Sequence, residues 1–256
     1  MKKLPFFLLL VLAVYACDKD ENPVASSASL ETYIQSNLDW TPHNQLVACA
    51  AGGQVGFLDD PAAPLSMFFY PKLFSTNFKY YETEGEVSDT GNLSLYLEKD
   101  VAWEPLFNGF MARFPLARPD TDRWARVSFV SNDTLWYCKP VRLRINEDPT
   151  VFSPGLVEVN ISDDFQPDFS WPNANDPNTI IYFQIVVDER GDAVSATYTT
   201  DTNFTFYETN NVVFNVTRPG PVLPLVPDQD YSFVLMGISA INWVETIAST
   251  TFRTTR

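Results

Sequence analysis

Short apolar runs, interrupted every few residues by turn-forming residues, constrain the fold of this chain more than any other feature. From residue 46 to residue 145 the runs are short and several alternate apolar with polar residues, which is typical of half-buried strands. Leu93–Leu97 and Val141–Ile145 alternate throughout, and Leu106–Phe114 forms one longer run. Ser131-Asn132-Asp133 separates two runs and predicts a hairpin turn. The pattern predicts an antiparallel β-sandwich over residues 39–147.

A polar, proline-containing stretch then marks a domain boundary. Asn146-Glu147-Asp148-Pro149-Thr150 is followed by Ser153-Pro154-Gly155, and the strand-like pattern begins again after it. Polar residues with two prolines are typical of a linker between domains. We therefore predict a second β domain over residues 155–256.

The motifs of this second domain resemble those of the fibronectin type III family. Trp171, in Phe-Ser-Trp-Pro, resembles the buried tryptophan of the second strand, and Tyr182 stands at the aromatic position of the third. Leu225, Pro227 and Tyr231 resemble the leucine–proline–tyrosine corner before the sixth strand. The resemblance implies that these five residues form the structural core of the domain. The predicted fold class is all-β, with two tandem antiparallel β-sandwiches of the immunoglobulin or fibronectin type III kind.

One stretch departs from the family pattern. Asn210–Pro224 is longer than the loop usually found between the fifth and sixth strands. It forms either an added edge strand at Val212–Val216 or a functional loop, and the sequence favours neither.

The N-terminus has the layout of a secretory signal. Two lysines precede the apolar run Leu4–Ala13, which is too short to cross a bilayer, and the run leads to Cys17. Val-Tyr-Ala-Cys resembles the lipobox of bacterial lipoproteins, which implies that residues 1–16 are a signal peptide and that Cys17 carries a lipid such as palmitate. The cluster Asp18-Lys19-Asp20-Glu21 resembles the acidic export signal of surface-exposed Bacteroidetes lipoproteins. This resemblance implies an outer-membrane protein exposed at the cell surface, with a tether over residues 17–38 and a short helix capped by Ser29.

The charge of the chain limits its partners. A formal net charge of −15 repels phosphate backbones, so we expect no nucleic-acid partner. The expected partners are the membrane, through the lipid, and a glycan or an envelope protein.

The chain offers little catalytic chemistry. Its single histidine, His43, lies in a polar stretch without a nucleophile motif, and we expect no metal or other cofactor. Carboxylates leave one enzymatic alternative, because a glycoside hydrolase needs only two acids at a set separation. Glu82, Glu84 and Glu86 alternate along one stretch and illustrate the difficulty, since a sequence does not reveal separations. We predict a non-catalytic protein, with a carboxylate-based hydrolase as the alternative.

Two cysteines remain after Cys17. Cys49 and Cys138 both lie in strand-like runs of a protein with an export signal, where disulfides persist. Two alternatives stay open: a disulfide between them, or two separate buried thiols.

Aromatic residues provide the remaining functional signal. Trp243, Trp103, Tyr70 and Tyr80 are the candidates for exposed rings that bind a ligand, and Trp243 ranks first because it lies between the last two strands, where sandwiches often bind partners. Two versions of a binding or scaffolding function are open: glycan capture, and adhesion to or structural support of another envelope protein. Exposed rows of Trp and Tyr favour sugar, whereas a contiguous apolar patch with a polar rim favours protein.

Overall fold

The computed structural model describes residues 28–53, 61–144, 149–161, 166–173, 177–217 and 224–254. The predicted signal peptide, Cys17 and residues 18–27 of the tether lie outside these ranges. The described part forms one α-helix, one short 3-10 helix at Leu93–Leu95 and nineteen strands. In chain order these are α1 (Leu30–Ser36), β1 (Thr41–Leu46), β2 (Ala48–Gly52), β3 (Leu65–Phe69), β4 (Thr76–Glu82), β5 (Leu97–Lys99), β6 (Glu104–Leu106), β7 (Met111–Leu116), β8 (Arg123–Ser131), β9 (Thr134–Cys138), β10 (Val141–Leu143), β11 (Val151–Phe152), β12 (Glu158–Asn160), β13 (Asp168–Ser170), β14 (Thr179–Asp188), β15 (Ala193–Thr199), β16 (Asn203–Thr205), β17 (Val212–Asn215), β18 (Asp230–Ser239) and β19 (Val244–Arg253).

The first ten strands form two sheets. Sheet A has the order β1-β9-β8-β4-β5, with β10 also paired to β8, and sheet B has the order β2-β3-β7-β6. The pairs are antiparallel except β1 with β9, which is parallel. Asn132 and Asp133 connect β8 to β9 with φ angles of 49° and 55°. A two-residue turn with both φ angles positive matches the right-handed twist of the strands, and the predicted hairpin is confirmed.

The remaining strands form the second sandwich. Sheet C has the order β11-β19-β18-β14-β15-β17, and sheet D has the order β12-β13-β16. The fold class predicted from the sequence, two tandem antiparallel β-sandwiches, is confirmed. Val212–Asn215 is an edge strand paired with β15, so the first of the two alternatives for the Asn210–Pro224 stretch is correct over its described residues.

The residues that resemble the fibronectin type III core lie together, with one difference. Trp171, Tyr182, Leu225 and Tyr231 are buried between sheets C and D, whereas Pro227 is exposed. The backbone N–H of Val226 donates a hydrogen bond to the Tyr231 hydroxyl at 2.9 Å, which fixes the corner before β18.

The two sandwiches share a buried layer rather than a flexible junction. Strand β2 shows why: Ala48 and Ala50 face sheet A, while Cys49 and Ala51 pack with residues of sheet C. Both faces of sheet B are therefore covered, and the four sheets stack in the order A, B, C, D with three apolar layers between them. A strand buried on both faces reads as a continuous apolar run, and all five residues of β2 and all five of β3 are buried.

The turn between β18 and β19 of the second sandwich forms backbone hydrogen bonds with the first sandwich. The backbone N–H of Ala50 donates to the Asn242 carbonyl at 3.0 Å, and the N–H of Arg142 donates to the Ile241 carbonyl at 3.1 Å. Trp243, in the same turn, is only 1% exposed and belongs to the core between sheets A and B. A Cβ at Gly52 would lie 2.9 Å from the Trp243 ring and 2.2 Å from Leu65, so only glycine at position 52 leaves room for these two side chains.

Two local predictions require correction. Leu93–Leu97 is not one strand: Leu93–Leu95 forms the 3-10 helix, because Asn92 accepts a hydrogen bond from the Ser94 backbone, and only β5 follows as strand. Leu106–Phe114 is also interrupted, by a turn with positive φ at Phe107, Asn108 and Gly109 that makes β6 and β7 a hairpin.

The short helix forms as expected. Ser29 accepts a hydrogen bond from the Thr32 backbone, as an N-cap does, and α1 packs over Tyr81 and Tyr96 on the outer face of sheet A. The segment around Ser29 runs along the edge of sheet A, where Ser29 forms an isolated bridge with Leu97, the first residue of β5.

Candidate functional site

Two of the four aromatic residues predicted to be exposed are core residues. Trp243 fills the first sandwich, and Tyr80 is 1% exposed in the same core. The alternation of β4 places Tyr80 on the inner face, and Tyr81, its neighbour, on the face covered by α1. The prediction that Trp243 binds an external partner is wrong: the surface that its turn binds is the first sandwich of the same chain.

The other two predicted residues line a common groove. Trp103 is 42% exposed, and its ring centroid lies 4.5 Å from that of Phe78. Tyr70 is partly buried in the groove floor, where its ring packs edge-on against Phe183 and its hydroxyl accepts a hydrogen bond from Tyr198 at 3.3 Å. Burial raises the pKa of Tyr70 well above its usual range, so the hydroxyl stays protonated.

The groove lies where the first sandwich meets the edge of sheet C, and its volume is about 690 Å³. One wall is the segment between β3 and β4, the second is the segment around Trp103 and Pro105, and the third is the end of β17 with Val216 and Thr217. Its largest rings are Tyr70, Phe74, Phe78, Trp103 and Phe214. An exposed apolar surface of this kind, at a junction of two domains, is the usual position of a binding site.

Phe74 is held in an unusual conformation beside the groove. Its φ is 61° and its side chain is 83% exposed. A left-handed φ is uncommon for a bulky residue and costs about 1–3 kcal/mol. Neighbouring bonds maintain it: the Ser131 hydroxyl donates to the Leu73 carbonyl at 2.9 Å, and the Ser75 hydroxyl donates to the Lys72 carbonyl at 2.7 Å. The fold therefore holds an aromatic ring out into solvent at a conformational cost.

The groove differs in charge from the rest of the chain. Of the described residues that line it, Lys72 is the charged one, and none is a carboxylate. The Lys72 ammonium lies 4.0 Å from the centroid of the Trp136 ring, which positions it at one end of the groove. In a chain with 32 acidic residues against 17 basic ones, this surface is neutral to positive.

Two of the three alternating glutamates, Glu82 and Glu86, do not line the groove and contact arginines instead. Glu82 contacts Arg123 at 3.2 Å, and Glu86 contacts Arg142 at 2.8 Å. Within the described ranges, no group of three or more His, Cys, Asp or Glu side chains is placed to hold a metal ion. Also within them, no helix has both the length and the apolar character needed to cross a bilayer.

The cysteine pair is present as two free thiols. Both are buried, in different apolar layers: Cys49 lies between sheets B and C, and Cys138 lies between sheets A and B. The backbone N–H of Val127 donates to the Cys138 sulfur. Of the two alternatives, the structure thus contains separate buried thiols. Burial raises the pKa of Cys49 to about 12 and that of Cys138 to about 11.

These shifts predict inert thiols. In a chain carrying Cys17→Ser, we expect Ellman's reagent at pH 8 to react with folded protein at least about 100-fold more slowly than with free cysteine, because thiolate is the reactive form. Denaturation without reductant should release two thiols for each chain. No thiols after denaturation would show that a disulfide had formed instead.

The sequence analysis did not identify two exposed rings of the groove, Phe74 and Phe214. Phe74 lies between two strands in Pro-Lys-Leu-Phe-Ser, and the signal that identifies it is an apolar pair in a segment where turn residues are expected. Phe214 lies in the stretch that departs from the fibronectin type III pattern. Its exposure depends on β17 being an edge strand, and only the order of strands in sheet C shows that β17 is one.

The fold and groove together define a class: a tandem β-sandwich protein with a groove at the junction of its two units. No protein-family model matches the chain, and no curated protein matches it. Among solved structures, the FN1–FN3 domains of chicken CNTN1 align over 85% of this chain and 68% of that one, at 12% identity and a TM-score of 0.29. A cytokine receptor complex aligns over 75% of this chain and 92% of that one, at 13% identity and a TM-score of 0.30. At these scores the similarity carries no functional argument, and the chain's own residues must supply it.

Proposed function

We propose that this protein is a non-catalytic cell-surface lipoprotein whose groove binds a partner protein of the envelope. The observation that carries the proposal is the chemistry of the exposed groove side chains. Leu73, Phe74 and Phe214 are exposed in the groove, together with the single tryptophan Trp103. A contiguous apolar surface with aliphatic members suits a protein partner, since sugars are bound chiefly by exposed Trp and Tyr faces and hydrogen-bonding groups.

The groove has a rim suited to the same role. Gln45, Ser75, Asn132 and Thr217 surround its apolar rings with hydrogen-bonding groups. An apolar centre with a polar rim is the usual anatomy of a protein interface. Trp103 and Phe74 are its expected anchors, because aromatic residues contribute most of the binding energy at such interfaces.

The signal peptide, Cys17 and the acidic residues after it support the location. A lipid on Cys17 would hold the chain at the outer membrane, and the tether would place the sandwiches beyond the bilayer surface. A surface-displayed binding module needs no cofactor and no catalytic group.

Site-specific photo-cross-linking in intact cells tests both parts of the proposal. p-Benzoylphenylalanine at Phe74 should yield one discrete adduct with an envelope protein, and Trp103→Ala should reduce it at least about tenfold. Leu38 is the matched control, because it is 87% exposed and does not line the groove. Equal adducts at both positions would contradict the groove as the binding site, and a Cys17→Ser chain that remains in the membrane fraction would contradict the lipid anchor.

Glycan capture is the second candidate, favoured by the exposed ring of Trp103 above Phe78. Titration with a panel of polysaccharides, followed by tryptophan fluorescence, separates the two candidates. A saturable change that Trp103→Ala abolishes would identify a glycan as the ligand. An unchanged spectrum across the panel, with the cross-link at Phe74 present, leaves the protein partner.

A further inference from the structure

Strand β17 has an open edge beside the groove. Among the described residues it pairs with β15 on one side and is the last strand of sheet C. The Val216 N–H donates to the Ala196 carbonyl at 3.0 Å, and Asn215 stands opposite Thr197. Because hydrogen-bonded and non-bonded pairs alternate along antiparallel strands, the main-chain N–H and C=O of Asn215 face away from β15, toward the open edge.

The sequence of β17 lacks the features that normally protect an edge. Natural edge strands carry proline, lysine or other charges, or are covered by another segment. Edge strand β1 contains Pro42, β6 contains Glu104 and Pro105, and β5 is covered by the chain at Ser29. Val212, Val213, Phe214 and Asn215 include no proline and no charge. Among these edges, β17 is therefore the one that an added strand meets with least resistance.

The groove receives the side chains of such a strand. Phe214 packs on Tyr198 at 5.9 Å between ring centroids, so its side chain is on the groove side of sheet C. A strand added along β17 would place every second side chain on that same side, toward Trp103 and Phe74. Main-chain hydrogen bonds would then supply affinity, and the pockets for alternate side chains would supply specificity.

Charge indicates which occupant fits. Pairing of β17 with β17 of a second copy would bring together two strongly acidic chains, each with a formal net charge of −15 over the full sequence, which opposes association. A partner segment that is uncharged, or that carries a carboxylate near Lys72, meets no carboxylate along the described part of the groove lining.

We propose that the partner contributes an extended segment that adds to β17 as a further antiparallel or parallel strand of sheet C, with apolar side chains at every second position lying in the groove. This proposal rests on the proposed function, because it specifies how the partner protein binds at the same site.

The probe is a peptide selected from a phage-displayed library of random decapeptides on the mature chain, purified in detergent. The edge is tested with Val213→Lys, and the matched control is Val151→Lys, since both valines are 56% exposed on edge strands at opposite sides of sheet C. We expect Val213→Lys to raise the Kd at least about tenfold and Val151→Lys to change it less than about twofold. Both variants are checked for an unchanged thermal transition.

N-methylation of the peptide backbone tests strand pairing without altering the protein. In a bound strand, every second N–H faces β17, so N-methyl groups should weaken binding at least about tenfold at alternate positions and have little effect between them.

The outcomes distinguish the two proposals. A peptide that Trp103→Ala weakens, but whose N-methyl scan has no period of two, would overturn strand addition and leave the groove as the binding site. Selected peptides that neither Trp103→Ala nor Val213→Lys weakens would overturn both proposals. A stable dimer that Val213→Lys dissociates, and with which peptides do not compete, would show that a second copy is the occupant and would overturn the partner segment.

Discussion

Trp243→Ala is expected to lower the free energy of unfolding by about 3–5 kcal/mol, the usual cost of truncating a large buried aromatic residue. The indole is 1% exposed in the core of the first sandwich, although it belongs to the turn between the last two strands of the second. Its removal leaves a cavity beside Gly52 that the surrounding strands, buried on both faces, cannot readily fill.

Equilibrium denaturation with urea measures this effect, and Trp103→Ala is the control. Trp103 is the same residue type at 42% exposure, and we expect its substitution to cost no more than about 1 kcal/mol. We also expect the native chain to unfold in one transition, because the apolar layers connect both sandwiches. Comparable losses for the two variants would contradict the role of Trp243 as a link between the cores.

Arg144→Ala is expected to lower the free energy of unfolding by a similar amount, about 3–5 kcal/mol. Arg144 follows β10, and both of its hydrogen bonds to the two carboxylate oxygens of Glu245 on β19 are 3.0 Å long. The Glu245 side chain is almost fully buried. Loss of the guanidinium removes both of these bonds, and a buried carboxylate that loses a cationic partner is strongly destabilising.

Arg253→Ala provides the comparison for this pair. Arg253 also contacts a carboxylate, that of Asp230, at 3.0 Å, but both side chains are more than half exposed. Solvent-exposed pairs contribute about 0–1 kcal/mol, so we expect little change in the urea midpoint. If both substitutions had equal effects, burial would not explain the stability of the Arg144–Glu245 pair.

Patterns within single elements predicted much of the fold. The Ser29 cap, the Asn132-Asp133 hairpin and the corner at Tyr231 each depend on residues a few positions apart, so the sequence contains the information they need. The 3-10 helix at Leu93–Leu95 shows the limit of this approach. Its leucines alternate as in a strand, but the Asn92 side chain bonds to the Ser94 backbone and favours a turn instead.

The pattern of apolar and polar residues does not predict that the two sandwiches stack on each other. Periodicity assigns a residue to a face of its strand, but it does not identify what covers that face. Trp243 therefore has the sequence context of a ligand-binding residue in a loop, while the surface it contacts, around Gly52, is far away in the sequence. The groove required the same long-range information, because it forms between the segment after β3, Trp103 and the end of β17.

The position of Trp243 also sets an order for folding. Domains of a growing chain generally fold one after another, beginning with the N-terminal one. Here the core of the first sandwich contains a side chain from the β18–β19 turn. That core is therefore complete only after the chain has been made as far as residue 243. Before that point the core between sheets A and B lacks Trp243, so we expect a chain that ends before the β18–β19 turn to expose apolar strands to chaperones.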